Sequence, residues 1–248
     1  TVQAYRDGLL ILPLNDQPKP IGEPGRPGNL ELVPPSKVPK RRLGTAVGLA
    51  IMIHAITHIE FNAINLAWDA VYRFRDLPKQ FYSDWITVAS EEAHHFELLR
   101  KRLSALGYDY GDWPAHNGLW EMAVLTATDP LMRMALVPRI LEARGLDVTP
   151  GIMRRLRQIG DEQTAAILEI ILRDEIGHVA IGSRWFKYLC QQRGLDAERT
   201  FRELIIQHFS GQVTGPFHYE ARQQAGFTAD ELRTLESIKS RTISSAPL

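Results

Sequence analysis

From Thr45 onward, apolar residues recur at three- and four-residue steps. Leu49, Met52, Ile53, Ile56, Ile64, Ala67, Trp68 and Val71 fall on one helical face, and this spacing predicts a long amphipathic helix ending near Leu77-Pro78. A second helix follows, with Phe81, Trp85, Val88, Leu99, Leu103 and Leu106 on its stripe and Gly107 as its stop. Together the two predict a helical hairpin. The stretch YDYGDWPAHNG reads as a connection, and residues 118–127 as a short helix. Asp129-Pro130 marks the next start, an N-cap with proline in the first helical position. That helix is expected to run through Leu131, Ala135 and Leu141 to Gly145, to break, to restart at Thr149-Pro150 and to stop near Gly160. Asp161 then caps a fourth helix to residue 192, with Ile167, Leu168, Ile171, Ile181, Trp185 and Leu189 inward. Two further helices are expected at 197–210 and 228–240, joined by a loop around Gly215-Pro216 and packed on the outside. No alternation of period two is long enough for a sheet.

Three segments follow: an extended arm over 1–44, a helical bundle over 45–192 and C-terminal helices over 193–248. Residues 15–44 are dense in proline and glycine, which break helical continuity. The cluster Lys37, Lys40, Arg41 and Arg42 reads as a solvated turn. The fold class is all-α, and 248 residues suffice for one substantial core. Lys+Arg and Asp+Glu number 29 each. The resulting zero net charge gives no field to recruit nucleic acid or an anionic membrane. Cys190 is the single cysteine, which excludes an intrachain disulfide and fits a reducing, cytoplasmic setting, with the thiol packed against a helix. There is no uncharged apolar run of about 18 residues, so no membrane span is expected. The patch LLILPL at 9–14 is too short for one and lacks the charged flank of a signal peptide. The chain opens on Thr1, and its native start is expected upstream.

The chemistry lies in polar residues set into the apolar stripes. Glu60 sits four residues from both Ile56 and Ile64, and Glu175 and His178 share a face with Leu168, Ile171, Ile181 and Trp185. In SEEAHHFELL, stepping from Glu92 and His95 reaches Trp85, Val88, Leu99 and Leu103, whereas stepping from Glu91 and His94 reaches Asp84, Thr87, Lys101 and Arg102 alongside Leu98. Glu92 and His95 therefore face the core. Glu91 and His94 lie one step around, unless a local bulge exchanges the pairs. Glu142, in RILEARGLD, meets the negative end of its helix dipole and calls for a cation, either Arg139, Arg144 or a metal.

The order is Glu, Glu-x-x-His, Glu, Glu-x-x-His, with Glu60 and Glu92 32 positions apart and Glu142 and Glu175 33 apart. Similar hairpin arms bring the carboxylates to similar depth, roughly 22 Å down the first helix and about 16 Å back up the second. Four carboxylates with two neutral imidazoles balance two divalent cations, and oxygen ligands with one imidazole per metal suit iron or manganese.

Residues 45–192 resemble the ferritin-like dinuclear-metal superfamily. The segments EPGRP, HIEFNAINLAWDAV, EEAHHF, RILEARGLD and DEIGHVAIGSRWF resemble a mostly bacterial family designated domain of unknown function 455. The resemblance implies a ferritin-like four-helix bundle and a two-metal site. In that site Glu92 and Glu175 bridge, Glu60 and Glu142 are terminal ligands, and His95 and His178 bind one metal each. Pro138, Gly145 and Pro150 flank Glu142 and make its placement a departure from a regular bundle.

The expected function is a di-iron or iron/manganese oxidase or hydroxylase that uses O2 or peroxide on a small organic substrate, with Glu91 or His94 as general acid and a homodimer as the assembly to test for. Two alternatives stand beside it: a non-catalytic, iron-buffering protein and a tRNA-modifying hydroxylase, the latter unsupported by the balanced charge. His54 and His58 are expected to take a supporting or partly exposed place rather than bind metal, and Asn62, Asn65 and Asp69 to orient the ligands or to lie on the polar face of the helix. Trp68, Trp85 and Trp185 are expected to pack in the core.

Overall fold

The structure is a computed structural model. It describes residues 2–9, 18–209, 213 and 215–244. The apolar patch predicted at 9–14 lies outside these residues except for Leu9, as does the last residue of the predicted 197–210 helix. The regular structure of the described residues is all helical, with one isolated bridge between Leu32 and Ala115 and no strand. By their contacts they form two units, residues 1–127 with 155–167 and residues 128–154 with 168–248.

The first unit is built on α2 (Ala46–Arg73) and α3 (Lys79–Ala105), which pack along their lengths. Thr45 starts α2 by accepting the Gly48 N–H on its hydroxyl at 3.0 Å. α2 is long and apolar enough to cross a membrane, but most of it is buried inside the protein, and it carries Glu60, Asn62 and Asp69 among its buried residues. It is the core helix. α1 (Val2–Arg6), a 3-10 turn at Pro35–Lys37 and α4 (Gly118–Leu125) complete the unit with the turn before the seventh helix, where Arg102 of α3 donates to Asp161 and Thr164. The segment expected to be an extended arm over 1–44 holds α1 and the 3-10 turn, and between them the described residues contact α2 and the start of α4. Lys19 N–H donates to the Tyr72 hydroxyl, Trp120 Nε1 to the Gly22 carbonyl at 2.9 Å, and Arg26 to Asn117.

The second unit begins at α5 (Pro130–Leu136), capped as predicted by Asp129, whose carboxylate accepts the Leu131 N–H at 2.9 Å. Beyond it the structure departs from expectation. Residues Val137–Glu142 form a π-helical segment, and α6 (Ala143–Gln158) runs through Gly145 and Pro150 without a break. Pro138 accounts for the first departure. Proline has no N–H and crowds the carbonyl one turn back, so the hydrogen-bond register widens, and Ala143 N–H bonds the Pro138 carbonyl five residues earlier. Gly182 of α7 (Glu162–Gln192) makes room for this proline, because a Cβ there would stand 2.4 Å from its ring. Pro150 costs α6 one hydrogen bond, and the buried Leu146, Met153 and Leu156 on either side anchor the helix across it.

α8 (Ala197–Phe209), α9 (Tyr219–Gln224) and α10 (Ala229–Ser244) pack within this unit. α10 starts with a reciprocal cap: Thr228 Oγ1 accepts the Glu231 N–H at 3.1 Å, and Glu231 accepts the Thr228 N–H at 2.9 Å. The same glutamate lies 2.7 Å from Arg139 Nη2, with both side chains buried. The Arg139 guanidinium sits against the rings of Phe186, Phe201 and Phe227, with its carbon 4.0 Å from the Phe201 centroid. Arg139 is therefore the partner of Glu231 and not the cation that Glu142 was expected to meet.

Removing one partner strands the other charge. Glu231→Ala is expected to cost about 3–5 kcal/mol in urea denaturation. Gly182→Ala, which drives a methyl into Pro138, is expected to cost about 1–3 kcal/mol.

Candidate metal centre

Three of the six ligand candidates meet inside the first unit. Glu60 of α2 and Glu92 and His95 of α3 are 3 %, 0 % and 0 % exposed. Each offers a ligand atom within 4.8 Å of the others. His95 Nδ1 lies 3.2 Å from a Glu60 carboxylate oxygen and 3.4 Å from one of Glu92. The helical phase explains this placement. Glu92 and His95, three apart on α3, project from one face, and packing against α2 aims that face at Glu60. His94 is exposed and Glu91 half-buried on the adjacent face, and α3 has no bulge to exchange the pairs.

The electrostatics of this group ask for a cation. Burial alone would push the His95 imidazole down. The hydrogen bonds and charges of Glu60 and Glu92 outweigh burial and raise it from 6.5 to about 10. A proton held that firmly shows how strongly the two carboxylates demand positive charge. Two oxygen donors and one imidazole nitrogen at this spacing are a chemically sound half-shell for a divalent ion.

The other three candidates belong to the second unit. Glu175 and His178 lie one turn apart on α7, both largely buried, with Glu175 Oε1 3.8 Å from His178 Nδ1. Glu142 is half-buried and closes the π-helical segment. No sequence reading placed a π-helix there, although LVPRILE carried its signal in Pro138.

His54 and His58 hold the connection after α3 and are not partly exposed. Tyr110 donates its hydroxyl proton to His58 Nδ1 at 2.8 Å, His58 Nε2 donates to the His116 carbonyl at 3.1 Å, and Gly111 N–H donates to His54 Nε2 at 3.0 Å. Gly111 can do this because it adopts φ +109 and lies against Asn29 of the arm, where a Cβ would clash at 2.4 Å. Tyr110 was not singled out in the sequence. Its ring also stands 5.4 Å from Phe61 and from Phe96, the neighbours of Glu60 and His95. Asn62 bonds His58, Asn65 bonds the Phe61 carbonyl and Asp69 pairs with Arg73 at 2.6 Å, so these polar residues of α2 brace the helix and the connection. Trp85 and Trp185 are buried and Trp68 is half-buried. Cys190 is a buried free thiol that burial raises to about 11, in keeping with packing rather than reactivity.

The chain matches, over residues 1–233, the family described as protein of unknown function DUF455. It belongs to the DUF455 family. An uncharacterized protein of Haemophilus influenzae is 51 % identical over 215 residues, covering 84 % of this chain and 75 % of that protein. No solved structure matches. The family assignment carries no reaction, so the chemistry of this DUF455 chain rests on its side chains.

The histidines separate by pH. Burial lowers His54 and His58 to about 4, so the unfolded chain takes up protons first; the stability they confer is present above pH 6.5 and is lost as pH falls towards 4. His95 has the opposite sign: its contribution is complete below pH 6.5 and is lost as pH rises through about 10. In chelator-treated protein, nitrogen chemical shifts of labelled histidine are expected to show His95 as imidazolium at pH 8 and His54 and His58 neutral at pH 6.

Proposed function

We propose that this chain is a ferritin-like dinuclear carboxylate metalloprotein with oxidase or hydroxylase activity towards a small organic substrate. The observation that carries the reading is the buried group of Glu60, Glu92 and His95, whose carboxylates hold a proton on the imidazole up to about pH 10. The glutamate–histidine pair recurs as Glu175 and His178. With Glu142, the six side chains sum to −4 when both imidazoles are neutral, which balances the charge of two divalent cations. Iron or manganese fits a shell rich in carboxylate oxygen.

In this reading Glu60 and Glu142 are terminal ligands, Glu92 and Glu175 bridge, and His95 and His178 serve one ion each. Bound there, the metals would supply redox chemistry towards O2 or peroxide. The chain contributes the rest. The fully buried Leu99 on α3 and the buried Ile56 on α2 flank the ligands in sequence and keep water from them. The half-buried Glu91 is the candidate proton donor, whereas the exposed His94 faces solvent.

The full chain purified without chelator and supplied with iron and manganese is expected to hold two ions by elemental analysis, and Glu175→Ala to halve or abolish that content. Full retention by the variant would argue against the site. Because His95 must lose its proton to bind, metal affinity is expected to rise with pH between 6 and 8, by up to about tenfold per unit for one proton displaced. An iron content well above two per chain would instead favour storage, and RNA binding at low salt would favour a tRNA substrate.

A further inference from the structure

A π-helical turn is a rare backbone state, and it persists where its surroundings hold it. Pro138 loosens the Val137–Glu142 segment, and the side chain of the next residue, Arg139, is tied down on three sides. Its Nε donates to Ser183 Oγ of α7 at 3.2 Å, and its Nη2 lies 2.7 Å from Glu231 of α10. Its guanidinium carbon stands 4.8, 4.0 and 4.5 Å from the ring centroids of Phe186, Phe201 and Phe227. Arg139, Ser183 and Glu231 are all buried, and every residue of this cluster belongs to the second unit.

A buried ion pair adds little stability over apolar residues of the same volume, and its best-attested use is to fix one conformation against close alternatives. Here the close alternative is the ordinary helical register. Ala143 N–H bonds the Pro138 carbonyl five residues back. Bonding four residues back instead would turn the chain beyond it by one residue's step, about 100°, relative to Arg139. Glu142 stands three residues after Arg139 and closes the segment. The direction of its carboxylate therefore depends on the register that the Arg139 contacts hold.

We propose that Glu231 is a positioning residue for Glu142: through Arg139 it holds the π-helical segment in the register that presents Glu142 to its ion. The proposal rests on the dinuclear reading given above and deepens it. It makes α10, a helix with no ligand of its own, part of what sets metal affinity.

Titration of the full chain with manganese(II), read by electron paramagnetic resonance, tests it. Two ions sharing bridging carboxylates give an exchange-coupled signal, whereas a lone ion gives the hyperfine pattern of isolated manganese. Glu231→Gln keeps an acceptor for the Thr228 N–H and removes the charge facing Arg139. It is expected to weaken the ion held by Glu142 about 10- to 100-fold, as loss of an outer partner of a ligand does, and to replace the coupled signal by the isolated one. Thr228→Val removes the hydroxyl that caps α10 and leaves the Arg139 pair, so it is expected to lower stability and keep both ions. Ser183→Ala, which removes the acceptor of Arg139 Nε, is expected to weaken the same ion about threefold or more. It carries the test if circular dichroism shows Glu231→Gln unfolded. Wild-type affinities and a coupled signal in folded Glu231→Gln, or in Ser183→Ala where the former does not fold, would overturn the proposal and leave the dinuclear reading intact. So would an equal loss of the ion in Thr228→Val, which would trace the effect to the stability of α10. A wild-type chain that never shows coupled manganese would sink both.

Discussion

Two glutamates facing one imidazole inside a pair of packed helices cannot all remain in their solution states. Glu60 and Glu92 lose nearly all contact with water, and their charge must be met by something held close. In the protein alone that need falls on His95, which burial would otherwise keep neutral and which the carboxylates drive to about 10. The same need is what a divalent ion would meet. An arrangement costly for stability makes sense as a site, because hydrophobic replacements of similar volume would pack there without the desolvation penalty.

The surrounding structure can be read as support for that cost. α2 is pinned at Thr45 by its cap and braced near its middle by the His58–Tyr110 and His54–Gly111 bonds, which tie the connection after α3 back onto the helix that carries Glu60. Those bonds need both imidazoles neutral, and burial provides this. Histidines in adjacent turns of one helix pair are thus driven in opposite directions, one charged by carboxylates and two neutralised by apolar surroundings.

In the second unit the departure from a regular helix lies in the backbone. Pro138 widens the helix into a π-helical segment just before Glu142, Gly182 leaves space for the proline ring, and Arg139 from the same segment is held by Glu231 and three phenylalanines. Glu231 also caps α10, so the start of the last helix and the conformation of the π-helical segment share one carboxylate. The C-terminal helices, which carry no recognisable chemistry in their sequence, therefore take part in fixing the segment that presents Glu142.

The periodicity of apolar residues determined the all-helical class, the starts at Thr45 and Asp129, and the inward phase of Glu92 and His95 over Glu91 and His94, because helix geometry is local and repeats every 3.6 residues. Residue types also set the candidate chemistry, since carboxylates on an apolar face need a positive partner wherever that face is buried. Other features depended on tertiary structure. The sequence offered Arg139 or Arg144 as the partner of Glu142, but Arg139 pairs with a glutamate 92 positions later. Pro150 read as a helix break, yet α6 continues because flanking leucines are buried. His54 and His58 read as partly exposed, and the connection that buries them is non-local. These outcomes turn on contacts between segments far apart in the chain, whose energies exceed local propensities and leave no periodic trace in the sequence.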